Sequence, residues 1–213
     1  MNYVIKKKNF FVFFFIILLL MFLVTSGTYA YLFYTTSNNS IISGNMGKVD
    51  LELEVIRILP EKKSVNSSLL FKFDELASNL NKGCIDPENE YSLCQLYKIN
   101  LKNKSGGVNV RLKGGLSFNN SNMPNLSWIL LGNSYSSSVN YTKEMLGNTF
   151  NIASSNYVSF VDDYLLMNDN EETFYILIWI NEINEIQYDS GSYSGIVRFE
   201  DSNGNGVSAE FRG

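Results

Sequence analysis

The sequence feature that most constrains the fold of this chain is a strict alternation of apolar and acidic side chains. The segment VDLELEV, residues 49–55, alternates at every position, which is typical of a β-strand with one buried and one wet face. Residues 95–103 alternate in the same way. The break Ser105-Gly106-Gly107 then precedes VNVRLKGGLSF, residues 108–118, and this arrangement predicts a hairpin between the two segments.

The remaining segments favour the same class of fold. SWILLG, residues 127–132, indicates a buried strand, and TFYILIWI, residues 173–180, indicates a strand buried on both faces. Residues 133–156 are rich in turn formers, with an extended piece at 149–152. Residues 194–211 predict two strands around a Gly/Asn turn.

Helical spacing occurs in one stretch, residues 67–80, where Ser68 is a candidate N-cap. The apolar residues of its shared face are Leu69, Leu70, Phe73, Leu76 and Leu80. Short strands separated by turns, with one helix, predict a mainly β protein, an antiparallel β-sandwich.

The N-terminus has the layout of a secretory signal peptide. Three lysines, Lys6 to Lys8, precede an unbroken apolar run at residues 10–24, and the small residue Ala30 marks a cleavage site before Tyr31. The alternative is an uncleaved anchor, since 24 residues extending through Phe33 would span about 36 Å as a helix. Both interpretations leave the lysines in the cytoplasm and place the rest of the chain outside or at the cell surface.

We therefore expect three parts: a signal peptide or membrane anchor at 1–30, a flexible segment or donor strand at 31–48, and the sandwich at 49–213. The two cysteines agree with export. Cys84 and Cys94 enclose nine residues with several turn formers, which predicts a local disulfide in an oxidising compartment. Free thiols are the alternative.

Charge and composition exclude several functions. Without the three leader lysines, 14 basic and 21 acidic residues remain, a net charge of −7, so we expect no nucleic-acid partner. The chain has no histidine, which removes Ser-His and Cys-His nucleophile pairs and HExxH zinc sites. We expect no catalytic residue, no metal ligand and no cofactor.

Two motifs are weak signals for other functions, proteolysis and calcium binding. Asp189-Ser190-Gly191 matches the aspartic-protease signature, but a single copy would need a dimer, and a loop between strands is the prediction there. Asp201 to Gly206 imitates the first half of an EF-hand loop, but position 12 is Arg212. A hairpin turn is the prediction there, with weak calcium binding at Asp201 to Asn205 as the alternative.

Other polar and aromatic candidates have ordinary explanations. The adjacent acidic pairs Asp162-Asp163 and Glu171-Glu172 are interpreted as solvated turn charges, because neighbours in a strand point to opposite sides. Trp179 lies in a strongly apolar strand, which predicts a core residue and not a carbohydrate platform.

Three segments together resemble the TasA and camelysin group of exported Gram-positive proteins. The cleavage region Gly27-Thr28-Tyr29-Ala30-Tyr31, followed by an Asn/Ser/Thr stretch and VDLELEV, is similar to that group over residues 5–56. The Cys-loop-Cys segment at 84–103 and the aromatic strand with closing hairpin at 175–199 are also similar. The chain departs from the group at Leu32-Phe33-Tyr34.

The resemblance implies a jelly-roll-like sandwich, processing by a dedicated signal peptidase, and a surface or biofilm-matrix role. Some members of the group are labelled metallopeptidases, but this chain has no motif that carries such an activity.

Cleavage after Ala30 would free an aromatic, β-prone end, and burying each large apolar side chain is worth about 1.5–3 kcal/mol. The residues of this predicted assembly strand are Tyr31, Leu32, Phe33 and Tyr34. The membrane, the chain's own sheet, or the open sheet edge of another copy could bury them, and the last would build fibres. We expect a non-enzymatic structural protein that associates with itself or with related matrix proteins. A single-pass anchored surface domain and a secreted peptidase are the alternatives.

Overall fold

The structure of the chain is a computed structural model. It describes residues 40–46, 49–61, 65–68, 71–88, 90–121, 125–181 and 192–213. All of these residues belong to one compact unit, whose bounds are Asn39–Gly213. The leader and the residues up to 39 lie outside the described residues.

Most of the described residues are in β-strands. The strands are β1 Ser40–Met46, β2 Val49–Leu59, β3 Val65–Ser68, β4 Tyr91–Ser92, β5 Cys94–Asn103, β6 Val110–Ser121, β7 Leu126–Gly132, β8 Asn151–Ile152, β9 Val158–Leu166, β10 Glu171–Ile180, β11 Tyr193–Glu200 and β12 Gly206–Arg212. A 3₁₀ turn, Phe73–Glu75, continues into the helix α1, Leu76–Asn81, and a single helical turn, α2, covers Lys143–Leu146.

Two antiparallel sheets form the body of the protein, which confirms the predicted antiparallel sandwich. The larger sheet has the order β1-β2-β5-β10-β7-β8, and the smaller has the order β12-β11-β6-β9. Their facing sides share one core of buried apolar residues. In β2, Leu51, Leu53 and Val55 are buried in this core while the acidic residues between them are partly exposed, as the alternation predicts.

A third layer covers one end of the outer face of the larger sheet. Strand β10 contributes Ile176 and Ile178 to the core between the sheets, and Leu177 and Trp179 to a second core under α1 and the loop that follows β7. This confirms that β10 is buried on both faces. The last two strands also match their prediction, because β11 and β12 pair around the turn at 201–205.

The predicted hairpin between residues 95–103 and 108–118 is wrong. Strand β5 pairs with β2 and β10, whereas β6 pairs with β11 and β9 in the other sheet. Gly106 and Gly107 adopt positive φ angles of 55° and 106° as the chain crosses between the sheets. Alternation specifies which side chains face the core, but it does not specify the neighbouring strand, so both arrangements satisfy the same pattern.

The helix is shorter than the spacing predicts. Ser68, the expected N-cap, lies in β3 and pairs with Ser92 of β4, and helical structure begins at Phe73. Val65 and Ser68 both pair with β4, and a residue that pairs in a strand does not act as the N-cap of a helix. The turn α2 within 143–146 has no counterpart in the predicted elements.

Part of the predicted flexible segment 31–48 is a strand. Residues Ser40–Met46 form β1 and pair with β2 from Ser40↔Val55 to Met46↔Val49. Strand β1 is held by backbone hydrogen bonds to the regular strand β2. It can therefore join the sheet although its own sequence lacks a clear alternation of apolar and polar residues.

A cluster of buried tyrosines lies between the two sheets. The Tyr97 hydroxyl is 2.7 Å from the Arg212 carbonyl oxygen and 3.2 Å from the Tyr193 hydroxyl, which in turn donates to Gln95 Oε1 at 2.9 Å. Burial raises the pKa of Tyr97 to about 12, against the lowering effects of Tyr193 and Arg57. Burial, and then the neighbouring Tyr97, raise the pKa of Tyr193 well above 10.

These raised pKa values predict a loss of stability in alkali. In the unfolded chain tyrosines ionise near pH 10, whereas Tyr97 in the folded protein stays neutral to about pH 12. The contribution of Tyr97 to the free energy of unfolding is therefore complete below pH 10 and is lost as the pH rises through 12. Each such tyrosine should add about 1.4 kcal/mol per pH unit to the decline. Urea unfolding between pH 9 and 12 measures the slope, which should flatten in Tyr97→Phe. An equal slope in both proteins would contradict the assignment.

Candidate functional site

A groove of about 670 Å³ opens on the outer layer, and we call it the tyrosine groove. One wall is the end of α1 with the loop that follows it, the other is the loop that follows β7, and Leu59 at the end of β2 lies between them. The residues that line it are Leu59, Glu61, Leu80, Asn81, Lys82, Gly83, Ile85, Asp86, Pro87, Glu90, Tyr135, Ser137, Val139 and Tyr141.

The first wall contains the disulfide that the cysteine spacing predicts. Cys84 and Cys94 are bonded, both are buried, and their Cα atoms are 4.7 Å apart. Positive φ angles at Gly83 (73°) and Cys84 (61°) end α1 and turn the chain. The Leu93 N–H donates to the Cys84 carbonyl at 2.9 Å, so the loop is closed by a backbone hydrogen bond as well as by the sulfurs.

The opposite wall is built on two stacked aromatic rings. The rings of Tyr135 and Tyr141 are 5.7 Å apart and inclined by 12°, and Tyr175 of β10 lies 5.8 Å from Tyr135. The Ser136 N–H donates to the Tyr141 hydroxyl at 3.1 Å. These contacts hold both rings in place beside the groove.

Asn81 joins the two walls. Its Nδ2 donates to Asn140 Oδ1 at 2.8 Å and to the Tyr141 carbonyl at 2.9 Å, and its Oδ1 accepts from the Tyr141 N–H at 2.8 Å. A single amide therefore ties the last residue of α1 to a loop 60 positions later in the chain. This side chain therefore links the two walls of the groove.

Among the described lining residues of the groove, acidic side chains outnumber basic ones. Its described lining has three carboxylates, Glu61, Asp86 and Glu90, and one ammonium group, Lys82. Burial, the neighbouring Tyr141 and the charge of Glu61 together raise the pKa of the Tyr135 hydroxyl above 10.

The EF-hand-like segment forms the predicted hairpin turn. Asp201 Oδ1 accepts hydrogen bonds from the backbone N–H groups of Asn203 at 2.8 Å and Asn205 at 3.0 Å. Partial burial acts to raise the pKa of Asp201, but the hydrogen bonds from Asn205 and Asn203 outweigh it and lower that pKa. The carboxylate thus closes its own turn, in the manner of an Asx turn.

The acidic pairs lie in strands and not in turns. Asp162 and Asp163 are exposed residues of β9, and Asp163 has a φ of 52° and an ion pair with Arg111 at 2.7 Å. Glu171 and Glu172 begin β10, where Glu172 accepts from the Tyr164 hydroxyl at 2.6 Å. The prediction that they lie in turns is wrong, and for Asp162 and Asp163 the irregular pairing of β9 with β6 accommodates two acids at a sheet edge. The exposure of Asp162, Asp163 and Glu171 agrees with the prediction of solvated charges.

Trp179 is a core residue, as its apolar strand predicts. It is 2% exposed and packs on Phe73 and Phe150, with ring centroids 5.8 and 5.6 Å away. Its Nε1 has no hydrogen-bond partner among the described residues. A ring enclosed in this way presents no face to a sugar.

Several predicted site residues lie outside the described residues. These are the cleavage site Ala30 and Tyr31, the assembly strand Tyr31, Leu32, Phe33 and Tyr34, and the Asp189-Ser190-Gly191 motif. In the described part of the chain, no helix has the length and apolar character needed to cross a bilayer. The same residues contain no group of three or more acidic or cysteine side chains placed to hold a metal ion.

Sequence reasoning did not find the tyrosine groove. Tyr135 and Tyr141 stand in a segment that its composition marks only as turn-rich, and Asn81 is an ordinary polar residue at the end of a helix. The one available signal in the sequence was the presence of two tyrosines, six positions apart, in a segment of otherwise small and polar residues. This signal does not indicate what either ring packs against.

The fold and the bond between Cys84 and Cys94 define a disulfide-containing antiparallel β-sandwich with a third, mixed layer. No family model matches the chain, and no curated protein matches its sequence. Among solved structures, a similar chain is the CooA pilin subunit from enterotoxigenic Escherichia coli. The identity is 12% and the TM-score 0.27, over 74% of this chain and 94% of the pilin subunit.

Proposed function

We propose that this chain is an exported, non-enzymatic surface or extracellular-matrix subunit that assembles by strand addition. The donor is the apolar segment at residues 31–34, which becomes the free N-terminus once the leader is removed after Ala30. The acceptor is an open sheet edge of a neighbouring copy, where backbone N–H and C=O groups are available for pairing.

The position of β1 carries this proposal. It is the first described strand and the end strand of the six-stranded sheet, where it pairs with β2. Residues that precede Ser40 therefore join the domain at a sheet edge. The donor segment ends at Tyr34, six positions before Ser40. This distance is short enough for the segment to pair along a sheet edge.

The same strand offers an alternative within one copy. Ser40 pairs with Val55, so residues 56–59 of β2 continue past the first residue of β1. A tail that pairs there would cover its own sheet and leave a monomer. The experiment below distinguishes these two arrangements.

Other observations support export and a structural role. A buried disulfide that closes a short loop is typical of proteins from oxidising compartments. The chain has no histidine, and the acidic pairs of the described residues serve ion pairs and hydrogen bonds within the sheets. The resemblance of residues 5–56 to the TasA and camelysin group supports the same role.

Removal of the donor segment tests the proposal. A mature protein that lacks residues 31–34 should remain in the supernatant after ultracentrifugation, whereas the intact mature protein should pellet as fibres. Thr35→Ser with Thr36→Ser is the matched control, since it alters the same tail without removing apolar side chains, and it should pellet normally. Fibres that form equally well without residues 31–34 would contradict the proposal.

A single-pass anchored domain is the second candidate, because residues 10–33, which follow the lysine cluster, are long enough to span a bilayer if uncleaved. The intact mass of the protein recovered from cells decides between the two. A chain that begins at Tyr31 excludes the anchor, and a chain that retains Lys6 to Lys8 supports it.

A further inference from the structure

We propose that Asn205 is a site of spontaneous deamidation, a modification that converts its carboxamide to aspartate or isoaspartate. The residue lies in the hairpin turn between β11 and β12, within the segment that imitates half of an EF-hand loop. The inference is independent of the proposed assembly, because the turn is formed within one copy and its reaction needs only water.

The reaction needs an asparagine whose following residue offers a free backbone nitrogen. That nitrogen loses its proton to solvent base and forms a bond to the side-chain carbon Cγ, and the bond from Cγ to Nδ2 breaks as ammonia leaves. Water then opens the cyclic imide at one of its two carbonyl groups, which gives aspartate or isoaspartate. Glycine favours the attack because it has no Cβ to obstruct the approach.

The chain has two Asn-Gly pairs, and both lie in this turn, at 203–204 and 205–206. Asn203, Gly204 and Asn205 are exposed to solvent, and Gly206 is half-buried. The structure requires both glycines, since Gly204 has a φ of 78° and a Cβ at Gly206 would collide with the Phe199 carbonyl oxygen. The fold therefore keeps two candidate sites side by side.

A backbone hydrogen bond protects the first pair. The Gly204 N–H donates to the Asp201 carbonyl oxygen at 3.0 Å, which closes a four-residue β-turn. To attack Asn203, the Gly204 nitrogen would have to leave this bond, and the turn would open. The folded protein therefore slows the reaction at Asn203.

The nitrogen that attacks Asn205 has no such bond. The Asp201 N–H donates to the Asn205 carbonyl at 2.7 Å, so these two residues form a hydrogen-bonded pair and the next pair, Glu200 and Gly206, is a non-bonded one. The N–H groups of a non-bonded pair point away from the partner strand, and β12 is the end strand of its sheet. Among the described residues, the Gly206 N–H therefore has no partner strand.

Asp201 determines what the reaction does to the turn. Its Oδ2 accepts from Asn205 Nδ2 at 3.3 Å, an exposed and long bond that restrains the carboxamide weakly. Deamidation removes this donor and places a second carboxylate beside that of Asp201, and the two negative charges repel each other. The modified turn should hold β11 and β12 together less firmly.

Ageing of the intact mature protein at mildly alkaline pH tests the proposal. Peptide mass spectrometry follows the exchange of the amide nitrogen for oxygen, and fragment ions separate the two sites. In the folded protein Asn205 should react about fivefold faster than Asn203, the factor expected from the net strength of one backbone hydrogen bond. In protein unfolded by urea the two rates should converge, because the turn is lost.

Three results of this experiment would overturn the proposal. The first is a reaction at Asn203 as fast as, or faster than, that at Asn205 in the folded protein. The second is a folded protein in which neither site reacts although both react in urea. The third is an equal preference for Asn205 with and without urea, which would show that the turn plays no part.

Matched variants test the site and its effect separately. Asn205→Gln, whose longer side chain cyclises far more slowly, should suppress most of the mass change of this peptide, whereas Asn203→Gln should leave most of it. Asn205→Asp should lower the urea midpoint, and adding Asp201→Asn should restore it by removing the repulsion. An Asn205→Gln protein that changes mass as fast as the wild type would refute the assignment, and an unchanged midpoint in Asn205→Asp would refute the effect on the turn.

Discussion

Replacing Trp179 by alanine is expected to lower the free energy of unfolding by about 3–5 kcal/mol, the usual cost of removing a large buried aromatic side chain. Trp179 joins the sheet to both parts of the outer layer, through Phe73 before α1 and Phe150 before β8. The remaining side chains cannot fill the space of an indole without moving the layer. Urea unfolding followed by circular dichroism measures the change.

Two further variants make this result specific. Met145→Ala removes a side chain of the same layer that is 59% exposed, and it should change the free energy of unfolding by less than about 0.5 kcal/mol. Trp179→Phe keeps an aromatic ring and removes an indole N–H that has no partner among the described residues, so it should cost less than the alanine change. A Trp179→Ala protein as stable as the wild type would show that the indole is no part of the core.

Loss of the disulfide is expected to cost about 3 kcal/mol of stability. The bond closes a ring with a sequence separation of 10, and the chain-entropy model gives about 3 kcal/mol for a loop of that size. Cys84→Ala with Cys94→Ala removes the constraint on the unfolded chain and leaves two small cavities in the second core. The midpoint of urea unfolding should fall accordingly.

Reduction provides the matched comparison. Wild-type protein unfolded in the presence of dithiothreitol should lose about as much stability as the double variant, while the reductant should not affect the variant itself. If dithiothreitol destabilises both proteins equally, the effect does not come from the bond between Cys84 and Cys94. A loss below about 1 kcal/mol in the double variant would contradict the expected contribution of the loop.

The two predictions concern the layer that forms the groove, and this layer is where sequence and structure differ most. Helical structure begins at Phe73, after the expected N-cap, Ser68, because Ser68 belongs to strand β3. The loop with Tyr135 and Tyr141 is shaped by Asn81, which is distant in sequence. Local periodicity contains no information about a partner 60 residues away.

The strands of the two sheets were more predictable from the sequence than this outer layer. Alternation in 49–55 and the uniform apolar character of 173–180 correctly indicated one-sided and two-sided burial. The turn at 201–205 followed from Gly and Asn, whose backbone preferences are local. The same reasoning misplaced β6 beside β5, since a strand's pattern identifies its buried face and not its neighbour.

The sequence by itself determined the class of fold, the buried face of the main strands and the pairing of two nearby cysteines, because each depends on spacing between residues close in the chain. Only the tertiary structure decided which strands share a sheet, that β1 forms the edge at which the N-terminal segment enters, and that α1 and a distant tyrosine loop enclose a groove. Those features depend on contacts between residues far apart in the chain, and the physical reason is that packing and backbone pairing select among arrangements that local patterns leave equivalent.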